Sequence, residues 1–217
     1  MEDPTDNLAD LDLRELNARL ASREPIPGGG SAAALAGAMG ASLVAMVAEL
    51  TIGRADAAEH QSHLIELRDE AVAHQQLLLD LAEQDARAYG SVVAARRMPK
   101  ETEAERSSRA AAMRRTMVAA AEIPLLTAGA AIDVLELARA IAPIGNPNAV
   151  SDAGVAAQLA AAAVRGAILN VRINLPYLAA DEPLRGAAPT TIENMELRTV
   201  EAERAVAETV SARIEPS

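Results

Sequence analysis

Residues 25–52 read PIPGGGSAAALAGAMGASLVAMVAELTI, and this stretch decides the fold. From Pro25 to Ala48 it carries no charge, over a length that would cross a bilayer if it were one helix. Two prolines and the glycine triplet break its first part, and the remainder is mostly Ala, Gly and Ser, which are weakly driven into lipid. The spacing predicts a helix over residues 31–52, apolar on every side, which belongs inside a helical bundle rather than on its surface. Ala33, Gly37, Gly40 and Ala41 give it small side chains, against which a neighbouring helix can pack at short interaxial distance.

The rest of the chain agrees. Its 217 residues are the size of one domain, half of them are apolar, and there is no Phe, no Trp and only two tyrosines, Tyr89 and Tyr177. Roughly a quarter are alanine, the best helix former and a poor strand former, so the reading is an all-α bundle of long helices spanning residues 1–217 as a single domain. A net charge of -11 argues against nucleic acid or an anionic membrane as partner, because both need a basic field. Cysteine is absent, which removes disulfides, thiolate metal sites and a Cys nucleophile. The opening MEDPTDNLADLDLRE has neither the basic nor the apolar region of a secretory signal, and a cytoplasmic location is expected.

Seven helical segments are predicted. Leu8, Leu11, Leu16 and Leu20 mark a short amphipathic first helix, the Ser31 helix is second, and a long third runs from near Asp56 to Arg97, ending before Pro99. Thr102 with Glu105 reads as a capping box opening the fourth, and Pro124 as the first turn of a fifth that Pro143 closes. Ser151 is read as the cap of an apolar sixth reaching Leu175-Pro176, and Thr190 with Glu193 as the start of a seventh ending near Arg213.

Chemistry has to come from loops and from polar residues set in apolar helices. Gly28-Gly29-Gly30-Ser31 runs into a helix start, where bare backbone and unpaired N–H groups suit an anion or carbonyl oxygen, or simply allow close packing. The formal match to a dinucleotide fingerprint fails, since two prolines stand where a strand is required. Asn148, Ser151 and Asp152 gather at the mouth of the sixth helix, with Asp152 in the first turn. Asn170 and Asn174 lie four apart on one face, and can bond a heterocycle edge or another helix. Asp85 and Tyr89 share a face of the third helix. Lys100, the sole lysine, comes just after its end and offers either a proton-donating ammonium or a solvated helix terminus. His60, His63 and His74 with Glu59, Glu66 and Glu70 read as a solvated face, so no metal is expected.

Three blocks, residues 25–51, residues 81–100 and residues 146–175, together resemble the formiminotetrahydrofolate cyclodeaminase and methenyltetrahydrofolate cyclohydrolase family, the C-terminal half of bifunctional formiminotransferase-cyclodeaminases. The resemblance covers nearly the whole chain in order and spacing. It implies an all-α homodimer, with tetrahydrofolate bound near the subunit interface and no cofactor beyond that substrate. It maps the family motifs onto residues 25–31, Asp85, Tyr89, residues 98–100, residues 148–154 and residues 170–175, Met98 replacing the usual Leu. On this basis Asp85, Lys100 and Asp152 are the catalytic candidates. Gly28, Gly29, Gly30, Ser31, Tyr89, Asn148, Asn170 and Asn174 are the substrate-binding ones. The expected reaction is hydrolysis of 5,10-methenyltetrahydrofolate to the 10-formyl compound, with closure of formiminotetrahydrofolate and loss of ammonia as the alternative, and a non-catalytic helical interaction protein as the rival class.

Overall fold

The computed structural model describes residues 7–214; residues 1–6, part of the acidic opening, and residues 215–217 lie outside the described residues. Regular structure among the described residues is helical throughout, as the alanine content requires. The α-helices are α1 (Leu13–Leu20), α2 (Gly29–Glu49), α3 (Gln61–Arg97), α4 (Glu103–Ile141), α5 (Val150–Asn174) and α6 (Pro183–Ile214). Helices α2, α3, α4 and α5 close a four-cornered bundle in which each packs on the next, and α6 lies across α4 and α5. The core is aliphatic: Val44, Leu64, Leu78, Leu135, Ile141 and Val164 are all fully buried. Tight packing of α2 on α5 depends on Gly40, where a Cβ would stand 3.0 Å from the Ala156 carbonyl oxygen.

Four elements differ from the sequence reading. The third helix begins at Gln61 rather than near Asp56, because Ala55–His60 is a 3-10 turn broken by non-helical backbone at Ala57. The first predicted helix divides into a 3-10 turn, Leu8–Asp10, and α1, because Asp12 accepts from the Glu15 amide at 2.8 Å and restarts the helix; Leu8 is buried while nothing in α1 is. Helices four and five are one continuous α4 with Pro124 inside it. Proline removes one amide and orphans the carbonyl four residues earlier, that of Ala120. Asn174 of α5 donates its Nδ2 to that oxygen at 2.7 Å, so the helix runs through the proline without an unpaired buried group. The last helix starts at Pro183 rather than Thr190, with Pro189 inside it. The carbonyl orphaned there belongs to exposed Arg185, where solvent can take the bond.

The capping box at Thr102 and Glu105 forms as expected. Ser151 does not cap: it sits exposed inside α5, whose start is prepared by a 3-10 turn, Pro147–Ala149, with the Asn146 side chain accepting from the Asn148 amide at 3.0 Å. Three segments, Gly29–Glu49, Glu103–Ile141 and Pro147–Tyr177, are long and apolar enough to cross a membrane by length and composition, and about half of each apolar window is buried inside the bundle.

Candidate functional site

The chain enters α2 through the loop Pro25-Ile26-Pro27-Gly28, whose Ile26–Pro27 peptide is cis. Gly28 occupies the cap position with no side chain to bond the first-turn amides. That part is played from α3. The Asp85 carboxylate reaches the start of α2 and accepts from the Ser31 hydroxyl at 3.0 Å and from the Ser31 backbone amide. Gly30 makes the approach possible, since a Cβ there would lie 2.2 Å from Asp85 Oδ1 and 2.5 Å from its Cγ.

This junction forms one wall of a cavity of about 380 Å³, a volume that accommodates a small organic ligand. Gly28, Gly29 and Gly30 line it at the start of α2, Asp85, Tyr89 and Arg96 along α3, and Asn170, Ile173 and Asn174 along α5, with Ala120 of α4 and Tyr177 closing it. Burial pushes the Asp85 carboxyl above the usual carboxylate range, and the two bonds from Ser31 offset part of that rise. A half-buried carboxyl raised in this way can exchange protons nearer neutrality than an exposed one.

The amides of α5 are oriented by chemistry rather than by assignment. Asn174 Nδ2 donates to the carbonyls of Ala120 (2.7 Å) and Asn170 (2.9 Å), and Asn170 Nδ2 donates to that of Gly166 at 2.9 Å. A carbonyl only accepts, so each side chain must turn its NH₂ towards the helices. The polar capacity left over is that of the two Oδ1 atoms, which accept, and of the second proton on Asn170 Nδ2, a nitrogen 3.6 Å from where a Cβ on Gly29 would lie.

Seven of the sequence candidates therefore meet in one cavity: Gly28, Gly29, Gly30, Asp85, Tyr89, Asn170 and Asn174. Ser31 does not line it. Its side chain is completely buried behind the wall, bonded to Asp85 and, at 2.9 Å, to the Ala82 carbonyl. Lys100 is also outside, because Met98 leaves the helix in extended backbone and Pro99 carries the chain out to solvent. Asp152 sits in the first turn of α5, about 27 Å from Asn170 at the helical rise of 1.5 Å per residue, and Asn148 lies further off still, in the 3-10 turn before the helix. Arg54 pairs with Asp56 at 2.7 Å and lies away from the cavity. The cation in the wall is Arg96, which sequence reasoning passed over. Its signal was present: Arg96 stands eleven residues after Asp85, close to three full turns, and so returns to the same face.

Comparison with known proteins gives a consistent result. A family model described as formiminotransferase-cyclodeaminase matches residues 12–193. A methenyltetrahydrofolate cyclohydrolase of Methylorubrum extorquens is 38% identical over 155 residues, covering 71% of this chain and 74% of that protein. A formimidoyltransferase-cyclodeaminase of Mus musculus is 34% identical over 178 residues, covering 82% of this chain but 33% of that protein, so the chain spans about a third of this longer relative. The solved structure of a formiminotetrahydrofolate cyclodeaminase from Thermotoga maritima matches with a TM-score of 0.85 and 25% identity, over 96% of this chain and 100% of that one. The match extends through the cavity-forming elements from the α2 loop to the start of α6, and on these grounds the chain belongs to the formiminotransferase-cyclodeaminase family.

Proposed function

We propose that the protein hydrolyses 5,10-methenyltetrahydrofolate to 10-formyltetrahydrofolate in this cavity. The observation that carries the reading is the Asp85 carboxyl, held at the start of α2 in the wall of a cavity also lined by the amides of Asn170 and Asn174. Ionised Asp85 takes a proton from water as the oxygen attacks the methenyl carbon. The protonated carboxyl then returns a proton to the ring nitrogen as its bond to that carbon breaks. The remaining hydroxyl proton leaves as the formyl carbonyl forms, so the reaction consumes one water and releases one proton. Asn170 and Asn174 accept from the N–H groups of the pterin's pyrimidine ring, and Arg96 pairs with a carboxylate of the glutamate tail.

Cyclohydrolase is preferred because the relative of that name matches over most of both chains. The cyclodeaminase reading is favoured by the Thermotoga maritima neighbour, and would use the same carboxyl as proton donor to departing ammonia. The reading includes a homodimer, supported by apolar residues left open on adjacent helices: Met39 and Met46 of α2 with Leu50 just past its end, and Val155, Leu169 and Ile173 of α5. It also includes the cytoplasm as location, tetrahydrofolate substrate without further cofactor, and neither nucleic acid nor membrane as partner, which the net charge of -11 supports. The test is direct assay of methenyltetrahydrofolate hydrolysis and formiminotetrahydrofolate closure against the uncatalysed rates. Asp85→Asn is expected to lower turnover by about 10² to 10⁴ with folate affinity little changed. No rate above background in either assay sinks the enzyme reading.

A further inference from the structure

We propose that Ser31 is a positioning residue for proton transfer at Asp85, its hydroxyl donating to Oδ2 and reversing direction only when the proton is borne on Oδ2. The inference rests on the proposed role of Asp85 and on the geometry of three atoms. Ser31 is completely buried, and its hydroxyl has two partners, the Ala82 carbonyl oxygen at 2.9 Å and Asp85 Oδ2 at 3.0 Å. A hydroxyl carries one proton, a carbonyl only accepts, and an ionised carboxylate only accepts.

The ionised carboxylate and a carboxyl protonated on Oδ2 therefore demand different arrangements of the same heavy atoms, whereas a proton on Oδ1 leaves the Ser31 bond to Oδ2 as it is. With Asp85 ionised, the Ser31 proton points to Oδ2, since a bond to a charged acceptor is the stronger of the two on offer. With a proton on Oδ2, the carboxyl donates to Ser31 Oγ, and Ser31 turns its own proton to the Ala82 carbonyl. Each state is served, and the change needs only rotation about the Cβ–Oγ bond. The carboxyl can thus stay in one rotamer through both halves of the reaction, pressed against Gly30 on its other side. The titratable groups that share the cavity with Asp85 are Tyr89 and Arg96 from α3 and Tyr177 beyond α5. The start of α2, the preceding loop, α4 and α5 contribute glycines, apolar residues and the amides of Asn170 and Asn174. Among the described residues, the side-chain hydrogen bond to Oδ2 is the one from Ser31.

Removing the hydroxyl costs the anion more than the neutral acid, so Ser31→Ala is expected to raise the Asp85 titration midpoint by about one pH unit. The midpoint is read by carbon-13 NMR of carboxyl-labelled aspartate in the full chain, with the Asp85 signal identified by its loss in Asp85→Asn. Ser31→Thr, which restores a hydroxyl, is expected to return the midpoint to the wild-type value. The acid limb of the kcat/KM profile for methenyltetrahydrofolate should move upward with the midpoint in Ser31→Ala, at nearly constant KM. A midpoint unchanged or lowered in Ser31→Ala overturns the proposal, whatever happens to thermal stability. If Ser31→Thr fails to fold, the Ser31→Ala midpoint alone decides. The NMR reading needs no turnover, so a wild-type protein without either folate activity would remove the functional reading and leave this titration to be judged separately.

Discussion

Asp85 does two jobs that pull in opposite directions: its carboxylate caps a helix that has no side-chain cap of its own, and its burial makes the charge costly. Because its folded-state value lies above the unfolded one, unfolding releases a proton between the two. Stability from this group is thus greatest below the unfolded value, falls as pH rises through the window, and stays lower at neutral pH. Asn at the same place carries no charge and keeps an acceptor for the Ser31 amide. Asp85→Asn is therefore expected to melt above wild type at pH 7, with the difference closing below about pH 4, the ordinary aspartate range; thermal scans across pH check this, and a variant less stable at pH 7 would refute it. Gly30 is the other residue on which the arrangement turns. Gly30→Ala places a methyl where the carboxylate stands, so Asp85 must swing away from Ser31. Circular dichroism is expected to show the helices intact, since Ala favours helix, while turnover falls by about 10² or more.

At the scale of elements, α4 and α5 solve a problem that neither solves alone. Pro124 withdraws an amide from α4, and Asn174 of α5 supplies a replacement donor to the carbonyl left behind. Asn174→Ala in the natural background exposes a buried carbonyl to no partner and is expected to cost about 1–3 kcal/mol. In a Pro124→Ala background the backbone N–H returns and the same change should cost much less. A double-mutant cycle measured by denaturant unfolding is expected to give a coupling of about 1 kcal/mol or more, and simple additivity would show the bond to be idle. The same bond turns the Asn174 oxygen away from α4, so a helix repair also sets the polarity of the cavity wall.

For the whole molecule, the open apolar residues on α2 and α5 belong to two helices packed on each other, and Ile173 among them also lines the cavity. A second copy covering that face would stand beside the site. Light scattering at micromolar concentration is expected to give a dimer for wild type and a monomer for the pair Met39→Glu and Leu169→Glu, neither of which lines the cavity. A wild-type monomer with full activity would refute the shared-face picture.

The helical character of the chain was determined by its sequence, because alanine content, the uncharged run after Gly28 and the Thr102–Glu105 box act within a few residues of themselves. The pairing of Asp85 with Tyr89, and of Asn170 with Asn174, was legible for the same reason, since residues four apart share a helix face whatever surrounds them. Tertiary structure alone decided which faces meet. It hid Ser31 behind the wall and left Lys100 in solvent. It also carried α4 through Pro124, against the local rule that proline ends a helix, because the missing donor came from Asn174, 54 residues beyond the orphaned carbonyl. Local propensity reads bonds within a turn; a carbonyl satisfied from a distant helix, or a carboxylate capping a helix that is not its own, exists only once the bundle has closed.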